Sequence, residues 1–141
     1  MRIWIISMFT VLLISTQTIA CEKQQIVTEQ IQENITQSLT APQQIVIHFG
    51  DGNTIQLDDK LIIEKIINDL KAMPYKKVSG PDEVGQSFTF EFSSDKQYSS
   101  TGYFVINKKY YKVTDQELVS ELNKYVVDYG RTFVPQLLPG V

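Results

Sequence analysis

Phe88-Thr89-Phe90-Glu91-Phe92 alternates three aromatic residues with two polar ones, the period of a β-strand that buries one face and leaves the other wet. Three phenylalanines on one side need a covering layer, and amphipathic helices stand on both sides of this stretch in the sequence. Downstream, Ser93-Ser94-Asp95-Lys96 turns the chain, and Tyr98 to Ile106 reads as a further strand bent at Gly102. Asn107-Lys108 makes a two-residue turn into a strand over Lys109–Val113. Upstream, Ile45, Ile47 and Phe49 alternate with Val46 and His48 in a strand over 44–49. The turn cluster Gly50-Asp51-Gly52-Asn53 then leads into Thr54–Leu57 and completes a hairpin.

The first helix follows Asp58-Asp59, whose carboxylates suit a helix N-terminus, and it carries Ile63, Ile66, Ile67 and Leu70 on one face. Pro74 stops it, and residues 76–86 read as a polar loop. Thr114-Asp115-Gln116-Glu117 has the form of a capping box with Thr114 at the cap. The helix it opens sets Leu118, Leu122, Tyr125, Val126 and Tyr129 on one side and ends at Gly130. The order ββαβββα predicts an α+β protein: an antiparallel sheet of about five strands with two helices packed on one face, preceded by a tether or helix.

This domain spans residues 44–130. Before it, residues 1–20 have the three-part form of a secretory signal peptide: the positive Met1-Arg2, the apolar run Ile3–Ile14, and a polar, small-residue stretch ending at Ala20. The apolar run is shorter than the ~20 residues that span a bilayer. Residues 21–43 are polar and glutamine-rich, with Val27, Ile31, Ile35 and Leu39 at every fourth position. They read as a tether or a loosely docked helix, and a fully extended tether of that length would reach about 70 Å. In the tail, residues 131–141, the apolar Phe133, Val134, Leu137 and Leu138 either lie across the domain or serve a partner.

The 141 residues carry a net charge of −3, and the only basic pairs are Lys76-Lys77 and Lys108-Lys109. That is too few for a phosphate-binding stripe, so nucleic acid is not expected as a partner. The single cysteine, Cys21, excludes an intramolecular disulfide and a multi-cysteine zinc site.

Ala20-Cys21 closes a segment that resembles the lipobox of bacterial lipoproteins, although Thr18 stands where leucine is favoured and Gln17 is unusually polar. The resemblance implies cleavage between Ala20 and Cys21, a diacylglyceryl thioether on the Cys21 sulfur, acylation of the new amino group, and anchoring on the extracytoplasmic face of the cell membrane. An ordinary signal-peptidase site, releasing a secreted protein, is the alternative. The helix Lys60–Ala72, the Phe/Tyr-rich strand pair and Tyr110-Tyr111-Lys112-Val113-Thr114 running into the last helix resemble the YhfM-like domain of small Gram-positive membrane-associated proteins. That resemblance implies a fold and a surface location, and it brings no activity and no site residues.

For chemistry the sequence offers little. His48 is the only histidine and has no recognisable nucleophile or carboxylate beside it, and no Gly-x-Ser-x-Gly elbow occurs. Asp51-x-Asn53 fails as a calcium loop, because Ile55 and Gln56 stand where a further ligand and a glycine belong. No catalytic, cofactor or metal site is expected. Tyr98, Tyr103, Tyr110 and Tyr111 either crown an exposed binding face or are ordinary strand residues. The favoured reading is a non-catalytic module that binds a protein, peptide or envelope component. Two others stand beside it. An envelope enzyme of unrecognised type would need a pocket at His48 or at a buried carboxylate. An immunity or resistance lipoprotein would sequester a peptide.

Overall fold

In the computed structural model, which describes residues 23–40, 42–81 and 85–140, the Phe88-Phe90-Phe92 strand lies well inside the sheet. The strands are β1 (Ile45–Phe49), β2 (Thr54–Leu57), β3 (Tyr75–Val78), β4 (Phe88–Ser93), β5 (Lys96–Ser99), β6 (Tyr103–Ile106) and β7 (Lys109–Val113). They form one antiparallel seven-stranded sheet in the order β2-β1-β4-β5-β6-β7-β3. The helices are α1 (residues 23–38), α2 (Lys60–Ala72) and α3 (Gln116–Arg131). The α+β class is as expected from the sequence; the five strands and two helices become seven and three among the described residues.

The period-two pattern sets one sheet face against the helices. Phe49 is opposite Phe88, Ile47 opposite Phe90, Phe90 opposite Tyr98, and Tyr98 opposite Phe104, so a ladder of apolar side chains crosses four strands. Phe88 and Phe90 have ring centroids 5.0 Å apart, Phe90 stacks on Tyr98 at 5.9 Å, and Phe92 meets Phe104 edge-on at 6.0 Å. Each fully buried aromatic of this kind contributes about 2–3 kcal/mol of burial. α2 covers the ladder with Ile63, Ile66, Ile67 and Leu70, and α3 with Val119, Leu122, Val126 and Val127.

Two differences in strand count have clear causes. The stretch Tyr98–Ile106 is a hairpin rather than one bent strand: β5 and β6 pair antiparallel, with Tyr98 opposite Phe104. Gly102 reverses the chain at φ +85°, a conformation open to glycine, and a Cβ there would lie 3.1 Å from Val119 Cγ2. The expected polar loop at 76–86 begins instead with β3, whose Tyr75 is buried and whose Lys76 and Lys77 are exposed. An edge strand with lysines at successive positions has no apolar alternation to betray it.

The helix ends also differ. Asp59 caps α2 through bonds from the Leu61 and Ile62 amides, as its acidic N-terminus suggested. At α3 the cap is Asp115, accepting from the Glu117 and Leu118 amides, while Thr114 Oγ1 lies 3.4 Å from the Pro74 carbonyl. Gly130 does not terminate α3; it is buried inside the last turn, where Leu137 and the Phe49 ring leave no room for a side chain. The tail lies across the domain: Leu137 and Leu138 are buried, the Leu138 amide donates to Asp51 Oδ2 at 3.0 Å, and Arg131 donates to the Leu137 and Leu138 carbonyls.

Residues 23–38 are helical, and α1 is docked by its second half. Ile35 and Leu39 are fully buried, Gln32 Nε2 donates to the Lys71 carbonyl at 2.7 Å, and Lys96 Nζ donates to the Ser38 carbonyl at 3.2 Å. Residues 23–30 are exposed. Among the described residues every core side chain lies between Ile31 and Leu138, and no helix is long and apolar enough to cross a membrane. The expected signal peptide, Ala20 and Cys21 fall outside the described residues.

Candidate functional site

All three helices use the same side of the sheet. Its other side presents the alternate residues of each strand, and it holds the concave surface of most interest. Two open hollows meet there. One, of about 360 Å³, is lined by Ser94, Asp95, Gln97, Val105, Asn107, Lys108 and Tyr110. The second, of about 200 Å³, lies under the chain at Pro81 and Gln86 and is lined on the sheet by Thr89, Gln97, Ser99, Thr101 and Tyr103. Gln97, Val105 and Tyr110 line both, so the hollows form one groove over β5, β6 and β7. The register explains the convergence: Gln97 is opposite Val105, and Val105 opposite Tyr110, so the three stand in a row across neighbouring strands.

The groove is lined mainly by amides, hydroxyls and two tyrosines. Its firmest part is at Tyr103, whose ring lies 4.1 Å beneath Lys112 Nζ, while that ammonium donates to the Thr101 carbonyl at 2.7 Å. Ser99 Oγ and Thr101 Oγ1 are 2.8 Å apart. Asp95 is held below the usual carboxylate range chiefly by the hydrogen bond from Ser93, so it is an anion at neutral pH, with Lys108 lining the same hollow. Such a surface can hold a polar or peptide-like ligand by hydrogen bonds and aromatic contact.

The tyrosine quartet is split by the sheet. Tyr103 and Tyr110 face the groove, with Tyr103 almost fully covered. Tyr98 and Tyr111 are buried on the helix side and belong to the core. The Tyr98 hydroxyl meets Met73 Sδ at 3.9 Å, and burial pushes its pKa well above the ordinary value. A four-tyrosine surface therefore does not exist here, because residues 110 and 111 must point to opposite faces. Gln97, Val105, Thr89 and Asn107, which nothing in the sequence alone places on this surface, line the groove with Tyr103 and Tyr110.

His48 is also on the open side, half-exposed, with Nε2 3.0 Å from Glu91 Oε2 and Nδ1 3.4 Å from Thr54 Oγ1. Cross-strand pairing creates the contact: Thr54 is directly opposite His48, and Glu91 is opposite Val46, one diagonal step away. The order hydroxyl, imidazole, carboxylate looks like a catalytic relay. It lies outside the groove, and the amides of β1 around it are used in the ladders to β2 and β4. Among the described residues no group of three or more His, Cys, Asp or Glu side chains is placed to hold a metal ion. No protein-family model, no curated protein and no solved structure matches this chain.

Proposed function

We propose that the protein is an exported lipoprotein, anchored through Cys21 on the extracytoplasmic face of the membrane, whose domain is a non-catalytic binding module. The groove over β5, β6 and β7 is the ligand surface, and its row of Gln97, Val105 and Tyr110 carries this reading. Its amides and hydroxyls suit a peptide or another polar envelope component. The anchor rests on the signal-like segment and on Cys21 directly after Ala20. Two or more acyl chains would give durable attachment, each buried methylene contributing about 0.8 kcal/mol. The likeness to YhfM-like domains agrees with this location.

Metabolic labelling with a fatty-acid analogue tests the anchor: the full chain should take up label and its Cys21→Ala form should not. Capture of envelope material from intact cells tests the groove. Material held by the tagged chain should be lost with Tyr110→Ala or Gln97→Ala and kept with His48→Ala. The reverse dependence, loss with His48→Ala alone, would favour the envelope-enzyme reading built on Thr54, His48 and Glu91.

A further inference from the structure

We propose that the β3 edge of the sheet is a docking surface for an anionic lipid bilayer, holding the domain edge-on against the membrane. The proposal rests on the Cys21 anchor and adds an orientation to it. Two independent placements lead to it.

The first is charge. Lys76-Lys77 and Lys108-Lys109 are far apart in sequence, but β3 pairs with β7, with Val78 opposite Tyr110 and Lys77 opposite Tyr111. This register brings both basic pairs to one corner. Residues 75–78 and 107–113 together hold five of the chain's 13 basic residues and none of its 16 acidic ones. Lys112 is engaged with Tyr103 and Thr101. The other four, Lys76, Lys77, Lys108 and Lys109, are exposed and have no ion-pair partner among the described residues. The nearest acidic neighbour lining the same hollow as Lys108 is Asp95. In a chain of net −3, the described residues of this edge form a basic rim, a distribution that orients a molecule in front of an anionic surface.

The second is α1. Ser38 lies over the start of β5, and Gln32 lies at the C-terminal end of α2, which leads through Pro74 into β3. From Ser38 back to Gln32 the helix passes from beside β5 to beside the connection between α2 and β3, and residues 23–30, which precede Gln32, are exposed. That exposed half carries Ile26 and Val27, 48% and 55% exposed. Cys21 is two residues before the helix. Between residue 23 and Ile31, where α1 meets the core, the rise is only about 12 Å. A lipidated Cys21 would thus hold the domain close to the bilayer on its β3 side, with Ile26 and Val27 at headgroup depth. Of the two arrangements expected from the sequence, a tether or a loosely docked helix, residues 23–38 take the helical one.

The chain from residue 22 onward contains the whole described core and no lipid, so it tests docking without the anchor. It should co-sediment with phosphatidylglycerol vesicles, not with phosphatidylcholine vesicles, and high salt should release it. Removing a lysine at this edge should lower partitioning about fivefold, so Lys77→Gln with Lys109→Gln costs about 25-fold. The charge-matched control Lys60→Gln with Lys124→Gln should change it less than about twofold, since Lys60 opens α2 at the end remote from β3. Equal loss from both pairs, or no preference for the anionic vesicles, overturns the proposal. So does tighter binding to duplex DNA than to the vesicles through the same lysines. Lipid labelling of the full chain is read separately. Labelling without vesicle binding removes the docking edge and leaves the anchor, whereas vesicle binding without labelling removes the anchor and leaves the edge.

Discussion

Replacing Gly130 by alanine should destabilise this protein, although the same change elsewhere in a helix is stabilising. In an ordinary helix interior, glycine to alanine gains up to about 1 kcal/mol. At Gly130 the new methyl would stand 2.4 Å from Leu137 Cδ2 and 2.9 Å from Phe49 Cζ. Phe49 is wedged in the core, 4% exposed, and Leu137 is 1% exposed. Either the core strains, typically at about 1–3 kcal/mol, or Leu137 leaves, giving up about 2–3 kcal/mol of burial. Against the helical gain, the net loss should be about 1–2 kcal/mol. For a domain of this size that lowers Tm by roughly 4–8 °C. Urea unfolding of the chain from residue 22 reads it directly. The double variant Gly130→Ala with Leu137→Ala should lose at least about 1 kcal/mol less than the sum of the single variants, because the shortened side chain removes the collision. A Gly130→Ala protein more stable than its parent, or strictly additive losses, would refute the packing argument.

Three further outcomes follow from the same structure. Lys108 is at φ 62° and Asn107 at φ 50°, a turn that suits glycine at its second position, so Lys108→Gly should raise stability by about 1 kcal/mol in thermal unfolding. Ile35 is fully buried although it precedes the first strand, so Ile35→Ala should cost about 2–4 kcal/mol in urea unfolding, whereas a true tether residue would cost nothing. The Asp51 carboxyl is held below its ordinary value mainly by the Leu138 amide and next by that of Asn53. Its contribution is therefore present above the unfolded-state pKa and lost as pH falls through the lower folded value. The Leu138 amide resonance should titrate below about pH 4, and Asp51→Ala should abolish that titration.

The fold was readable wherever one face of an element is apolar. Phe88-Phe90-Phe92, Ile45-Ile47-Phe49 and the isoleucines of α2 all point the way the alternation and the helical spacing say they should. It was obscured where another force decides. Gly102 marked a bend, but only the pairing of Tyr98 with Phe104 distinguishes a bend from a full reversal. β3 is held by its ladder to β7 and by Tyr75, whose hydroxyl donates to the Leu70 carbonyl, and neither signal is local in the sequence. The groove was half legible. Parity alone separates Tyr110 from Tyr111, whereas the company of Gln97, Val105 and Asn107 depends on register between strands. The lysine corner is the clearest case of this kind: its two pairs look scattered until β3 is laid beside β7.

An unclosed sheet of seven strands has two rims, each offering free backbone groups to a neighbouring molecule. On the β3 rim Lys76 and Lys77 point to opposite faces, so a second copy stacking there in either orientation would bring ammonium groups together without counter-charge. The β2 rim is only four residues long and runs straight into Asp58-Asp59. Polymerisation through strand exchange is thereby discouraged at both ends, which lets copies crowd without fusing into a fibre.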